Sequence, residues 1–485
     1  MSGTGSPGVS PAERLHSRYR PEVEAERYID ALNPGNDTDW FILVEPGMGY
    51  LVEALRRKRP GCGVVVLHAD AVFRGPGNLL SGVPAWYPDC GKTVQEFLES
   101  EIPEGARARI VEWRPSLALY GKRCLELVRE SADFLKRAEA GRRTAAAFGG
   151  RWVRNFFRNL SVLRPLLAYE TGSAPPIGLP VVVTGSGPGL EETLPEIRAA
   201  ASGVFVLASS SSLAALAAGG VTPDMVIGTD GGGWALMHLY ACFRPGTPPP
   251  RLACALTAAL PSQCSRLPVF PIGDGSLWQG IALKAAGVPA AALPQRGTVT
   301  ATALELALSL SAGSVFMAGT DLSVPDVRTH ARPYGFDHLF FGAASRLNPV
   351  YSQAFVRSGA IRAGGSHDVY AAWFKSRLAS WGGRVFSLGK KRGVFGNGVS
   401  LAPFAGAKNA RRDRFAVIPA KGEAAQRCRR AVAALGDALG EPRLAERLIG
   451  ELAPLLFPAR SDVSPGELAA ALRETAGRYL GAGRG

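Results

Sequence analysis

The stretch "VVVTGSGPGLEETL", Val181 to Leu194, runs three β-branched apolar residues into a turn of three glycines around one proline, and then into the start of a helix. Small residues at such a corner let something approach the main chain closely, and a helix that begins there points unpaired N–H groups at it. The usual occupant is an anion, often a phosphate. Downstream the pattern repeats. A helix is predicted to about Ala200, "GVFVLA" as a second strand, "SSLAALAAGG" as a short helix, and "DMVIGTD" as a third strand ending at Asp230. "RLACALTAA", "PVFPIG" and "SVFMAGTDLS" read as later strands. Strands alternating with helices call for a parallel sheet with helices on both faces, and such sheets bind ligands beyond the carboxyl ends of their strands. Gly185 to Gly189, Asp230 and Asp321 all fall at strand ends and are expected to surround one crevice.

A smaller unit of the same kind opens the chain. "DWFILVEPGMGYLVEALRRKRPGCGVVVLHAD" reads as strand, glycine turn, amphipathic helix and second strand, with Asp70 at the end. Its turn offers only Gly47 and Gly49, fewer than the spaced glycines of a dinucleotide fingerprint, which favours a structural Rossmann-like unit without a cofactor. From Tyr120 the chain is rich in Arg, Leu, Ala and Phe at helical spacing, and two helices broken around Gly149 and Gly150 are predicted. Trp152, Phe156 and Leu160 share one face of the second, while Asn155 and Asn159 form a polar stripe beside it. Beyond about Phe404, Ala-, Leu- and Arg-rich segments read as a helical bundle. The expected division is a tail and helix over 1–38, an N-terminal Rossmann-like domain over 39–119, a helical connector over 120–170, a larger central α/β domain over 171–403, and a C-terminal helical region over 404–485.

Composition narrows the function classes. The chain has 485 residues, 46% of them hydrophobic and 20% charged, which is a globular composition. No charge-free apolar run reaches the length of a membrane span, and the first thirty residues lack a signal-peptide core, so a cytoplasmic location is expected. Seven scattered cysteines without CxxC spacing argue for thiols and against a zinc site. The net charge of +14 is spread, with one dense patch at "KNARRDRF", and no nucleic-acid recognition motif accompanies it.

Chemistry-bearing residues gather in three places. The glycine corner, Gly185, Ser186, Gly187 and Pro188, suits a phosphate, although no GK[ST] follows and it is not a P-loop. In "QRGTVTATALELALSL", Thr298, Val299 and Thr300 open an apolar helix, so hydroxyls and amides would meet a phosphate oxygen; a plain N-cap is the alternative. In "GTDLSVPDVRTHARPYGFDH", His330 follows the strand end and Asp321, and a neutral imidazole there would take a proton from an attacking hydroxyl. His338 lies in the same stretch, and Arg328 and Arg332 flank His330. Asp230 would bind a ribose hydroxyl or a metal, or cap the glycines after it.

The segments "VVVTGSGPGL", "LAALAAGGVTPDMVIGTD" and "GTVTATALELALSLSAGSVFMAGTDLS", followed by "THA", resemble the 6-hydroxymethylpterin diphosphokinase MptE-like domain of bacterial motility-associated factor (Maf) proteins. "LHSRYRPEVEAERYI", "VEPGMGYLVEAL", "RWVRNFFRNL" and "WGGRVFSLG" are similar to further parts of Maf proteins, so the resemblance covers about residues 15 to 400. It implies a sialyltransferase-like central domain and a flagellin glycosyltransferase: a nonulosonic acid passes from its CMP donor to Ser or Thr of flagellin, with no further cofactor. Carried over by position, Gly185 to Pro188 would face the nucleotide, Thr298 to Thr300 its phosphate and Asp230 its ribose or a metal, with Asp321 and His330 at the reacting centre. The alternative that the same domain implies is a diphosphokinase, moving pyrophosphate from ATP to a pterin-type alcohol with magnesium held by Asp230 and Asp321. A non-catalytic flagellin-binding scaffold is the third reading.

Overall fold

The computed structural model describes residues 15–480 apart from 36–37, 75–77, 104–105, 170–173, 244–248, 295–296, 365, 390–394, 397, 408–412, 419–423 and 461. The predicted N-terminal tail and most of the basic patch at "KNARRDRF" lie outside the described residues. The chain divides into two compact units, one ending at Ala147 and the other running from Phe148.

In the first unit, helix α1 (Pro21–Leu32) precedes β1 (Trp40–Val44), α2 (Tyr50–Lys58), β2 (Gly63–Leu67), β3 (Ala85–Trp86), α3 (Val94–Glu101), β4 (Ala108–Glu112) and α4 (Arg114–Tyr120). The strands form one sheet of order β3-β2-β1-β4, parallel throughout. Alternate residues of β1 feed opposite cores: Phe41 and Leu43 one, Ile42 and Val44 the other. A strand covered on both faces must be apolar at every position, which is why "WFILV" and "GVVVL" lack polar alternation. Helix α3 starts on a capping box, with Thr93 accepting from the Glu96 amide and Glu96 reaching back to the Thr93 amide.

Helix α5 runs unbroken from Lys122 to Val162, where the sequence predicts two helices with a break at Gly149 and Gly150. A single glycine weakens a helix by only about 1 kcal/mol and does not end it. Gly149 has a packing reason instead: a Cβ there would stand 2.5 Å from the Leu455 Cα, so the missing side chain admits another helix at close range.

The second unit continues with β5 (Leu166–Ala168), β6 (Val181–Thr184), α6 (Leu190–Ala200), β7 (Phe205–Ser209), α7 (Leu213–Ala218), β8 (Met225–Gly228), α8 (Leu236–Leu239), β9 (Arg251–Ala255), β10 (Val269–Gly273), α9 (Leu277–Ala286), β11 (Ala291–Ala292), α10 (Val299–Leu310) and β12 (Val315–Ala318). Next come α11 (Asp337–Gly342), α12 (Val350–Gly364), α13 (Ser366–Arg377), β13 (Val385–Leu388), β14 (Gly398–Val399), β15 (Ala416–Ile418), α14 (Ala424–Leu439), α15 (Pro442–Leu456) and α16 (Pro465–Leu480). The sheet has the order β14-β13-β12-β6-β7-β8-β9-β10-β5-β15, with β11 paired to β10, and only β15 is antiparallel to its neighbour. This is the α/β architecture that alternating strands and helices predict. Val182, Val206 and Phe316 enter one core, Val181, Phe205 and Val315 the other. Helices α14 to α16 belong to the first of these cores through Cys428, Leu435, Leu448, Leu452, Leu468 and Leu472, so the C-terminal helices pack on the sheet.

The strand order turns at β6. From there the chain builds one way through β7, β8, β9 and β10 and the other way through β12, β13 and β14. The carboxyl ends of β6 and β12 therefore flank the topological switch point, where open α/β sheets leave a crevice.

Candidate functional site

The glycine corner of β6 meets the loop after β12 backbone to backbone. The Gly185 amide donates to the Ala318 carbonyl at 2.8 Å, and the Gly187 amide to the Gly319 carbonyl at 2.8 Å. A Cβ on Gly187 would lie 2.2 Å from Asp321 Oδ2, and one on Gly185 would lie 2.6 Å from the Gly319 carbonyl oxygen. Gly319 itself sits at φ +63° with Gly185 equally close, so side chains are barred on both sides of the crossing. The sequence indicates that something approaches this main chain closely, and in the structure it is the protein's own second loop.

The amides expected to await an anion are engaged. Gly189 donates to Asp321 Oδ2 at 2.8 Å, Leu190 to the Gly187 carbonyl at 3.0 Å and Glu191 to the Pro188 carbonyl at 3.2 Å. Asp321 thus places its carboxylate at the start of α6, where the helix dipole favours negative charge. An anion reaches the Gly189 amide only by displacing that carboxylate. Pro188 is buried, and the Ser186 carbonyl accepts the Ala331 amide at 2.8 Å.

Thr298 is the N-cap of α10: its hydroxyl accepts the Ala301 amide at 3.0 Å. Of the two readings of the threonines, the cap is thus the one that the structure gives Thr298. Thr300 lies at the glycine corner, its Oγ1 3.3 Å from where a Gly185 Cβ would be. Among the described residues no acceptor meets the Val299 or Thr300 amide, which leaves the first turn of α10 able to hold an anion beside the corner. Tyr370 of α13 closes over this end, with its ring edge 3.4 Å from the Cβ position of Gly297.

The loop after β12 carries left-handed backbone at two non-glycine residues, Leu322 and Val327. Beyond Asp321 and Gly319 it is fastened to the start of α6 by three further contacts: Ala331 to Ser186, Arg328 Nη1 to Glu191 Oε2 at 3.1 Å, and the Arg332 amide to Glu191 Oε1 at 2.9 Å. His330 is thereby held next to the corner. Its ring stacks on Tyr334 at 4.0 Å and 14°, and its Nδ1 is 2.9 Å from the Thr329 hydroxyl. Burial pushes the His330 pKa down to about 4, and repulsion from Arg357, and from His238 and His367 once they are protonated, adds to the effect. Tyr334 passes the contact on, its OH 3.4 Å from His238 Nε2, and His238 packs on Phe336 at 4.5 Å. Burial likewise brings His238 to about 4, opposed by the carboxylate of Asp230. Both imidazoles are neutral at pH 7. Burial and the carboxylates of Asp337 and Asp230 raise the Tyr334 hydroxyl, which stays protonated. His338, the second histidine of this stretch, is exposed.

Asp230 caps its own loop, accepting the Gly232 amide at 2.7 Å, and it stands within electrostatic reach of His238 and Tyr334. That loop is held from below by α5. Asn155 donates to the Gly231 carbonyl at 3.2 Å and the Thr257 carbonyl at 3.0 Å, and Asn159 to the carbonyls of Leu256 and Ala258 at 2.9 and 2.8 Å. A Cβ on Gly231 would meet the Trp152 ring at 2.3 Å. The polar stripe of α5 thus satisfies carbonyls of the loops at the ends of β8 and β9. His238, Tyr334, Arg357 and Tyr370 are the site residues that sequence reasoning missed. A signal existed for His238, one of only six histidines and placed shortly after Asp230.

Asp230 and Asp321 sit in separate loops, each already accepting a backbone amide, and no group of three or more His, Cys, Asp or Glu able to hold a metal gathers among the described residues.

In the first unit the turn after β1 is closed by its own chain. The Met48 amide donates to His16 Nε2 at 3.2 Å, and Cβ atoms on Gly47 and Gly49 would run into His16 and Leu80. Glu45, at the end of β1, is fully buried and accepts from the Ala69 amide at 2.7 Å, with His68 Nδ1 at 3.0 Å. Asp70, at the end of β2, accepts the Val72 amide at 3.1 Å.

Residues 151–327 match the family described as 6-hydroxymethylpterin diphosphokinase MptE-like. An uncharacterized protein of Treponema pallidum (strain Nichols) is 27% identical over 290 residues, 59% of this chain. The chain spans 61% of the length of that curated relative. A solved structure, that of a Maf glycosyltransferase from Magnetospirillum magneticum AMB-1, is similar over 97% of this chain and 80% of its own, at 13% identity and a TM-score of 0.48. No helix among the described residues is long and apolar enough to cross a membrane.

Proposed function

We propose that the chain is a cytoplasmic glycosyltransferase of the Maf kind, moving a nonulosonic acid from a CMP donor to Ser or Thr of flagellin. The observation that carries this reading is His330, a neutral imidazole fastened at the switch-point corner through the Ala331–Ser186 contact. With Nδ1 engaged by Thr329, Nε2 is left to take the acceptor's proton. In the transfer, the bond between the anomeric carbon and the phosphate oxygen breaks as the acceptor oxygen bonds to that carbon. CMP leaves as a phosphate monoester and the proton goes to His330. The amides of Val299 and Thr300 with the Thr300 hydroxyl would steady the leaving phosphate, in place of the Gly189 amide that Asp321 occupies. Asp230 would face the ribose from the far side of His238.

The match of residues 151–327 to an MptE-like family supports the second reading, a diphosphokinase taking pyrophosphate from ATP. The two readings separate in calorimetry with CMP, CDP and ATP, with and without magnesium. CMP binding without magnesium, and no ATP binding, is expected; ATP binding that requires magnesium would replace the transferase by the kinase, and no binding by any nucleotide would leave the flagellin scaffold. His330→Ala is expected to abolish transfer while CMP still binds, and normal turnover in that variant would remove the imidazole from the mechanism.

A further inference from the structure

Helix α12 is packed the wrong way round for a surface helix. Such helices turn their large apolar residues to the core and their small and polar ones to water. Among its described side chains the buried ones are Ala354 and Ser358, while Tyr351, Phe355 and Val356 face outward. Phe341 at the end of α11 and Leu347 in the connection before α12 join them, and all five are between 54% and 96% exposed. An apolar group of this kind, gathered on one hairpin, marks a docking surface.

Its charge selects the partner. From the start of α11 at Asp337 to the end of α12 at Gly364 the sequence has one acidic residue, Asp337, and three arginines, Arg346, Arg357 and Arg362, in a chain of net charge +14. A second copy docking through the same face would set arginines against arginines, since a two-fold interface brings identical patches together. An acidic partner is attracted. The hairpin also adjoins the crevice: Arg357 lies over the Phe340 ring at 3.5 Å, and both Arg357 and His367 of α13 contribute to the potential at His330. Whatever binds the hairpin is held beside the candidate base.

We propose that the α11–α12 hairpin is the docking site for the protein acceptor, engaging an acidic segment of it that carries apolar side chains and presenting the neighbouring hydroxyl to His330. This inference rests on the transferase reading and names the surface that reading needs. The test compares wild type with Leu347→Ser/Tyr351→Ser/Phe355→Ser and with Arg346→Glu, all on exposed positions outside the crevice, after circular dichroism shows native helix content. Monomeric flagellin is the probe, measured by sedimentation and by acceptor kinetics, with CMP calorimetry alongside. The triple variant is expected to bind CMP within twofold of wild type, to bind flagellin at least tenfold more weakly, and to raise the acceptor KM more than it lowers kcat. Arg346→Glu is expected to weaken flagellin binding and reduce its salt dependence. Flagellin binding that is absent in wild type, or unchanged in the variants, overturns the proposal. So does a wild-type dimer that the triple variant dissociates, or loss of binding to phosphatidylglycerol vesicles with flagellin binding intact. If CMP fails to bind wild type, the transferase reading falls, and flagellin binding alone then decides the docking surface.

Discussion

Replacing Asp321 by asparagine separates the carboxylate's structural task from any catalytic one. In the wild type Asp321 accepts the Gly189 amide at 2.8 Å where α6 begins. A hydrogen bond to a charged group contributes about 1.5–3 kcal/mol and a neutral one about 0.5–1.5 kcal/mol. The helix dipole adds roughly 0.3–1 kcal/mol for the charge. Asparagine keeps an acceptor and loses the charge, so the second unit should lose about 1–2 kcal/mol of stability by these figures. The effect on an anion has the opposite sign. A phosphate at the first turn of α10 would face the carboxylate across the corner, and at a separation of about 4 Å that is a repulsion of about 4 kcal/mol per unit charge at an effective dielectric of 20. If a quarter of that survives screening and side-chain movement, removing it raises anion affinity roughly fivefold. Hydrogen–deuterium exchange over residues 186–200 and calorimetry with CMP read both effects. Faster exchange with tighter CMP binding is the expected pair. Unchanged exchange with unchanged or weaker CMP binding would refute the capping role, and lost transfer at unchanged CMP affinity would make Asp321 a catalytic residue.

Gly187→Ala should destabilise the second unit by about 1–3 kcal/mol, the usual cost of overpacking, because its Cβ would stand 2.2 Å from the Asp321 carboxylate, whereas Gly233→Ala has open space and should unfold at the wild-type urea midpoint. The two partly buried histidines predict an acid-sensitive fold. His330 and His238 titrate near 4 when folded against 6.5 when unfolded, so between those values the unfolded chain binds more protons. Their contribution is fully present above pH 6.5 and is lost as pH falls towards 4, at up to about 1.4 kcal/mol per pH unit for each. Urea midpoints measured from pH 7 to 5 should fall, and His330→Gln with His238→Gln should flatten that slope; an unchanged slope would contradict the burial of both rings.

Much of the fold was legible because the two sheets are covered on both faces. A strand with no solvent side is apolar at every position, so "VVVT", "FVLAS" and "VFMA" announced themselves, as did the amphipathic C-terminal helices. The break predicted at Gly149 failed because local propensity competes with packing, and the space against Leu455 outweighed a weak helix former. Thr298 read equally as cap or ligand because both use the same hydroxyl in the same place. Trp152, Asn155 and Asn159 were visible as stripes, but the carbonyls they serve lie far along the chain.

By itself the sequence determined the strands, the parallel architecture and a glycine corner at the end of β6. The structure adds Gly319 across from it, where a Cβ is as sterically barred as at Gly185 and Gly187. Only the tertiary structure decided what fills the space: Asp321 arrives from across the switch point and takes the Gly189 amide. It also decided which histidines meet, since His238 and His330 come together through Tyr334 when the loops after β8 and β12 reach the same end of the sheet. Strand pairing is non-local, and a sequence pattern fixes a residue's periodicity and polarity without fixing which distant loop it will meet.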